Sequence, residues 1–165
     1  MDQKYGVAKK HLSWRKRCLD FQNYILYLGV KMSTNNSMVY SELGILPFSF
    51  YSKLSVIKYW VKVVTADRNK LNFQVYTYLR ENIGIECKPC FNWAKEVRNI
   101  LYDCGMYHVW ENDVITEPDK LIQDVTQVLY DLTVNNLYAE NSNSRKCIEY
   151  VMYKNVFKYE QYLSN

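Results

Sequence analysis

The sequence predicts an all-α protein, a single irregular bundle of about six to seven helices. Three observations carry this. Apolar residues recur at steps of three and four along most of the chain, the spacing that lines one face of a helix. Five glycines and three prolines among 165 residues are about 5% of the chain against roughly 12% in average usage, too few breakers for a many-stranded sandwich. Hydrophobic residues at 48% and charged residues at 23% sit near the globular average and argue against wholesale disorder. The length suits one domain with one core.

The first helix is expected over 8–28, where Leu12, Leu19 and Leu26 recur every seven with Cys18, Ile25 and Leu28 beside them. Gly29 can end it in the left-handed conformation. A polar link, Ser33 to Ser37, leads to a short helix over 38–43, with Gly44 and Pro47 as stop signals. The clearest helix covers 49–66, with Phe50, Leu54, Ile57, Val61 and Val64 as its buried stripe and Lys53, Lys58 and Lys62 off it. Another fits 70–82, with Val75, Tyr76 and Leu79 inward, and Ile85–Phe91 is a loop.

Asn92 is a natural cap for a helix over 93–104, whose face is Trp93, Val97, Ile100, Leu101 and Cys104, and Gly105 closes it. Residues 106–113 read as aromatic and irregular. Thr116-Glu-Pro118 opens the next helix, with proline where its missing N–H costs nothing. Its face, Leu121, Ile122, Val125, Val128, Leu129 and Leu132, fades near Asn135 and Asn136. A last helix is expected over 144–158. Trp60, Trp93 and Trp110 are the expected core anchors. The domain organisation is a basic arm over 1–20 followed by one helical domain over 21–165, with no internal repeat.

The net charge of +4 is unevenly spread. Within 1–20, Lys4, Lys9, Lys10, Arg15, Lys16 and Arg17 face only Asp2 and Asp20. Residues 51–80 carry six cations against Asp67 alone, whereas 81–140 carry four cations and eleven anions. Such separation lets one region attract a polyanion while another repels it. No apolar run approaches the roughly 20 residues of a membrane span, and no signal-peptide core is visible, so an intracellular protein without a membrane partner is expected. Five cysteines fit a reducing compartment as thiols.

Catalysis finds little footing. The two histidines, His11 and His108, lack a nearby nucleophile pattern, and no glycine-rich phosphate loop exists. Glu111, Asp113, Glu117 and Asp119 could hold magnesium, but they read better as negative charge at a helix start. Cys87, Cys90, Cys104 and His108 have the spacing of a zinc site. Cys104 falls on an apolar helix face, however, where a thiol is a small hydrophobe. No catalytic residue and no cofactor is therefore expected, with zinc kept as the alternative.

Nucleic-acid binding has better support, because lysines and arginines neutralise phosphates while rings stack on unpaired bases. Cations and rings mix at Lys9, Lys10, Trp14, Arg15, Lys16 and Arg17, and again at Lys58-Tyr-Trp-Val-Lys62, with Lys53 one turn earlier. The competing explanation is that Trp60 packs inward and the lysines extend past it.

An ordered set of motifs adds context. Tyr24-Ile-Leu-Tyr-Leu-Gly-Val-Lys31 precedes a Thr34-Asn35 link, and Glu42-Leu-Gly-Ile-Leu-Pro47 leads into a helix bearing Tyr59-Trp60. Asn92-Trp93, Gly105-Met-Tyr-His-Val-Trp110-Glu111, and the ending Tyr153-Lys154, Phe157 and Glu160-Gln-Tyr162-Leu163 follow in order. Over about 21–163 this resembles the region downstream of the polymerase in invertebrate retrotransposon reverse transcriptases. Ile45 departs from it, since a basic residue often follows Glu-Leu-Gly in that family. No adjacent Asp-Asp pair occurs, so the polymerase centre is missing. The resemblance implies a non-catalytic, C-terminal fragment of such a protein, with RNA or DNA and the polymerase portion of a parent protein as partners. The alternative is a helical protein-interaction or scaffolding module without a nucleic-acid role, to which the sixteen tyrosines would contribute.

Overall fold

The computed structural model describes residues 23, 25, 28–31, 33–84, 92–112, 115–143, 147, 150, 152 and 157. Among them every regular element is a helix: α1 (Asn36–Leu43), α2 (Phe48–Val64), α3 (Leu71–Glu81), α4 (Trp93–Asp103), α5 (Tyr107–Asn112) and α6 (Pro118–Asn143). The all-α expectation holds. The helices expected over 8–28 and 144–158 lie almost wholly outside the described residues. No described helix is long and apolar enough to cross a membrane. The chain divides into two compact units, one of 1–45 with 141–165 and one of 46–140.

In the first unit, α1 starts two residues earlier than the link suggests, because Asn35 rather than Ser37 is the cap. The Asn35 side chain accepts the Ser37 N–H at 3.1 Å. At the other end Gly44 sits at φ 59°. Its N–H bonds Ser41 O at 3.3 Å and the Ile45 N–H bonds Tyr40 O at 3.1 Å, a Schellman ending. Val39, Leu43 and Ile25 form a small apolar core. Beside it runs a buried polar network. The Ser37 hydroxyl is 2.8 Å from Asn35 Oδ1 and 2.6 Å from Asn141 Oδ1. Asn141 Nδ2 donates to Ser41 Oγ at 3.2 Å, and Ser41 donates to Ser37 O at 2.8 Å. Asn35 Nδ2 reaches Cys147 Sγ at 3.8 Å.

In the second unit α2 is the central element. Phe50, Ile57, Trp60, Val61 and Val63 are buried, and Leu54, Val56 and Val64 pack against the same core. At about 100° per residue these positions span roughly half the helix circumference, wider than the five-residue stripe the spacing predicts. The reason is that both α3 and α4 pack on α2. Tyr76 is the buried residue of α3, while Val75 is 45% exposed. Val75 therefore corrects the expectation that it points inward: it shares the outer face with Leu71 and Tyr78, both exposed.

Asn92 caps α4 as expected, accepting from Ala94 N at 3.0 Å and Lys95 N at 3.3 Å. Its Nδ2 also donates to Leu79 O at 3.0 Å, tying the start of α4 to α3. Ala94, Val97, Ile100 and Leu101 are buried, and Gly105 at φ 71° closes the helix.

Residues 107–112 correct the irregular reading, since they form α5. A six-residue helix has little stability alone. Here Trp110 anchors it: the ring is buried against Trp60 at 6.3 Å and Tyr76 at 6.2 Å. The Arg80 guanidinium stands 5.0 Å over its face and donates to Trp110 O at 2.8 Å. Helix α6 runs on past Asn135 and Asn136, where its apolar face was expected to fade, to Asn143. Both asparagines are exposed, where each costs only about 0.7 kcal/mol in helix propensity, and the next turn buries Leu137.

The Ser37–Ser41–Asn141 network generates a prediction. Asn141→Ala removes one buried partner from each of Ser41 and Ser37, a loss of about 1–3 kcal/mol for the first unit. Amide hydrogen exchange in α1 should speed up about 5- to 150-fold, with exchange in α4 unchanged. Equal acceleration in both helices would refute the assignment.

Candidate nucleic-acid interface

Taking Lys58 as the reference direction on α2, Tyr51, Ser55 and Lys62 project within about 60° of it and Tyr59 at about 100°. All five are exposed. The stripe lies opposite the arc that faces α3 and α4, so packing leaves it open to solvent. Among the described residues neither Lys58 nor Lys62 has a carboxylate within ion-pair distance. The link after α2 adds two more exposed cations, Arg68 and Lys70. Its turn is shaped by Asp67, whose side chain accepts the Asn69 N–H at 2.9 Å. Lys70 then occupies the N-cap position of α3 with no side-chain capping bond and no acid in the first turn. A cation there opposes the helix dipole. From Lys58 through Lys70 the exposed charges are four cations against Asp67.

Tyr59 supplies the ring of this face. It is 50% exposed, yet its orientation is held by an edge contact with Trp93 of α4 at 5.5 Å and 62°. Trp60, one residue on, has no exposed surface. The two neighbours of the Tyr-Trp pair thus divide the work, one in solvent and one in the core. Trp60 Nε1 is buried with no regular hydrogen-bond partner, its contact with Tyr76 falling short of that geometry.

Lys53 does not join Lys58 and Lys62. It projects about 140° away from Lys58, between Ile57 and Trp60, and its Nζ is 4.0 Å from Asp103 Oδ2 of α4. Its stem runs along the core edge and its charge is matched there. Lys9, Lys10, Trp14, Arg15, Lys16 and Arg17 lie outside the described residues, as do Cys87 and Cys90 of the alternative zinc set. Cys104 of that set is buried. Burial pushes its thiol pKa up, the neighbouring Asp103 pushes the same way, and Lys53 opposes them. His108 is exposed, with its ring 6.1 Å from Tyr107. Among the described residues no three His, Cys, Asp or Glu side chains are placed to hold a metal.

The carboxylates singled out by sequence do not converge either. Glu111 receives the Tyr102 hydroxyl at 3.4 Å, Glu117 pairs with Lys120 at 3.5 Å, and Asp119 is exposed. Asp113 lies outside the described residues. A cleft of about 370 Å³ between α5 and the start of α6 is lined by His108, Glu117, Lys120 and Asp124 among others. Its Glu117 charge is already matched by Lys120.

Sequence reasoning placed Lys58 and Lys62 on the interface and named Tyr59 and Trp60 together as the rings between them without saying that Tyr59 faces outward, and it passed over Arg68 and Lys70. The available signal was angular: Tyr59 falls on the Lys62 side of α2, away from the Phe50–Val61 stripe. Arg68 and Lys70 stand in a link, where helix periodicity says nothing.

Burial raises the Tyr76 phenol as well, with the Trp60 indole and the Arg80 charge acting the other way. Both groups therefore hold their protons more tightly folded than unfolded, from ordinary values of 9.0 for the thiol and 10.0 for the phenol. Their contribution is complete below the unfolded values and is lost as pH rises towards the folded ones. The urea midpoint should hold level up to about pH 9 and fall above it, and Cys104→Ala should remove the lower part of that fall. A midpoint rising above pH 9 would contradict this. No protein-family model, curated protein or solved structure matches the chain.

Proposed function

We propose that the chain is a non-catalytic fragment from the post-polymerase region of a retrotransposon reverse transcriptase, and that it binds nucleic acid through a basic helical surface. The observation that carries the binding is the exposed row Lys58, Lys62, Arg68 and Lys70, with no carboxylate paired to Lys58 or Lys62 among the described residues. Phosphates supply the missing counter-charge. The ancestry rests on the ordered motifs, and the fold gives two of them a mechanical role. Glu42-Leu-Gly-Ile-Leu-Pro47 holds the left-handed Gly44 that ends α1 and the proline that caps α2. Gly105 to Glu111 holds the left-handed glycine after α4 and the core ring Trp110. Sequence pattern at such joints reflects chain geometry, which favours a shared scaffold and says nothing of catalysis.

Four phosphate contacts imply a steep salt dependence. For a duplex, raising salt from 50 to 200 mM should weaken binding about 100-fold, and Lys58→Gln with Lys62→Gln should reduce that change to about ten-fold. Mobility-shift titrations at the two salt concentrations measure both. No binding at 50 mM salt, or binding indifferent to salt, would refute the electrostatic surface. The ancestry is tested separately by the DNA flanking the reading frame, where an upstream polymerase with paired aspartates is expected.

A further inference from the structure

We infer that the Tyr59–Lys62 face of α2 takes unpaired nucleic-acid strand in preference to duplex, with Tyr59 as the stacking platform. This rests on the nucleic-acid reading above and adds the form of the ligand. A protruding helix could instead enter a major groove, where Arg, Lys, Asn and Gln read base edges. The exposed arc of α2 has only the lysines of that set and none of the planar, two-pronged groups that fix on one base pair. Besides Lys58 and Lys62 it carries Phe48, Tyr51, Ser52, Ser55, Tyr59 and Thr65, with no Arg, Asn or Gln.

Rings beside lysines suit the opposite situation. In a duplex the base faces are stacked on one another and closed to a surface ring, whereas in a single strand they are open. Tyr59 is half-exposed, and its edge contact with Trp93 holds the ring. A base stacking on it meets a platform already ordered, so little side-chain freedom is lost. Tyr51 stands two turns earlier on the same arc, about 12 Å along the axis, with its ring set edge-on to Phe50 at 5.2 Å. Lys58 and Lys62 lie about 6 Å apart along the axis, beside Tyr59. The face therefore alternates ring and cation, as a single strand alternates base and phosphate. Ring stacking and charge pairing do not depend on the 2′-position, so the shared ligand chemistry is an unpaired strand of either sugar.

Fluorescence anisotropy at 50 mM salt with labelled twelve-nucleotide oligouridine, oligothymidine and a twelve-base-pair DNA duplex tests this on the full chain. Both single strands should bind at least ten-fold tighter than the duplex. Tyr59→Phe should keep that preference and Tyr59→Ala should abolish it, since one stacked base accounts for about ten-fold. Because Tyr59 also touches Trp93, an independent readout is photo-crosslinking of 5-bromouracil strands to the wild-type chain, expected on Tyr59. Duplex binding equal to single-strand binding, or crosslinks only elsewhere, overturns the inference while leaving nucleic-acid binding standing. If only one sugar binds, the claim of indifference to the 2′-hydroxyl falls. Failure of all three ligands overturns the underlying reading as well.

Discussion

The second unit depends on one aromatic joint, the burial of Trp110 beneath Arg80 and against Trp60 and Tyr76. These residues come from three helices. Trp60 is central in α2, Tyr76 and Arg80 lie one turn apart on α3, and Trp110 is the only buried residue of α5. A ring of this size removes roughly 200 Å² from water, about 5 kcal/mol at 25 cal/mol per Å². The unpartnered Trp60 N–H costs about 1–3 kcal/mol, so the joint stays favourable. Arg80 adds direction. Its guanidinium satisfies the Trp110 carbonyl and covers the ring face, and thereby sets where α5 lies against α3.

That joint also explains the shape of the candidate interface. Trp60 is reached by α5 and Tyr76 while Phe50, Ile57 and Val61 serve the same core, so α2 is enclosed over half its circumference. Lys53 falls within the enclosed half and finds Asp103. What remains is a narrow outer arc, and Lys58, Tyr59 and Lys62 occupy it. The interface is the complement of the core, defined by which directions packing leaves over.

Much of this was legible in the residues. Apolar spacing located α2, α4 and most of α6, and the signals at Asn92, Gly44 and Gly105 marked ends where the caps stand. The misses share a cause. Helix α5 has fewer than two turns, too short for periodicity to register, and it exists through tertiary contacts of Trp110. Helix α6 outlasts its own stripe, because Asn135 and Asn136 point outward while Leu137 still finds a buried place. Val75 lies 100° from the buried Tyr76 and Lys53 about 140° from Lys58, and which direction is enclosed is settled by how many neighbours a helix has. Tyr59 and Trp60 posed the same problem at the site, for adjacent rings differ by 100° and only one could be core.

The charge layout gives the interface an orientation. Within the second unit, the exposed cations Lys58, Lys62, Arg68 and Lys70 gather on α2 and its link with Asp67 as the one exposed acid among them, whereas α6 exposes Asp119, Asp124, Asp131 and Glu140 against Lys120; between them Glu81, Asp103, Glu111 and Glu117 are exposed acids and Lys95 an exposed cation. A unit near neutrality overall can still have a local excess of cations on one element and of acids on another, and a polyanion is then drawn to one face and repelled from another. Screening over about 8 Å at physiological salt confines this steering to the last approach. Its effect is on which face meets the ligand rather than on how tightly it is held. The local excess of cations on α2 and its link explains why a modest net charge and a basic interface are compatible in one small helical unit.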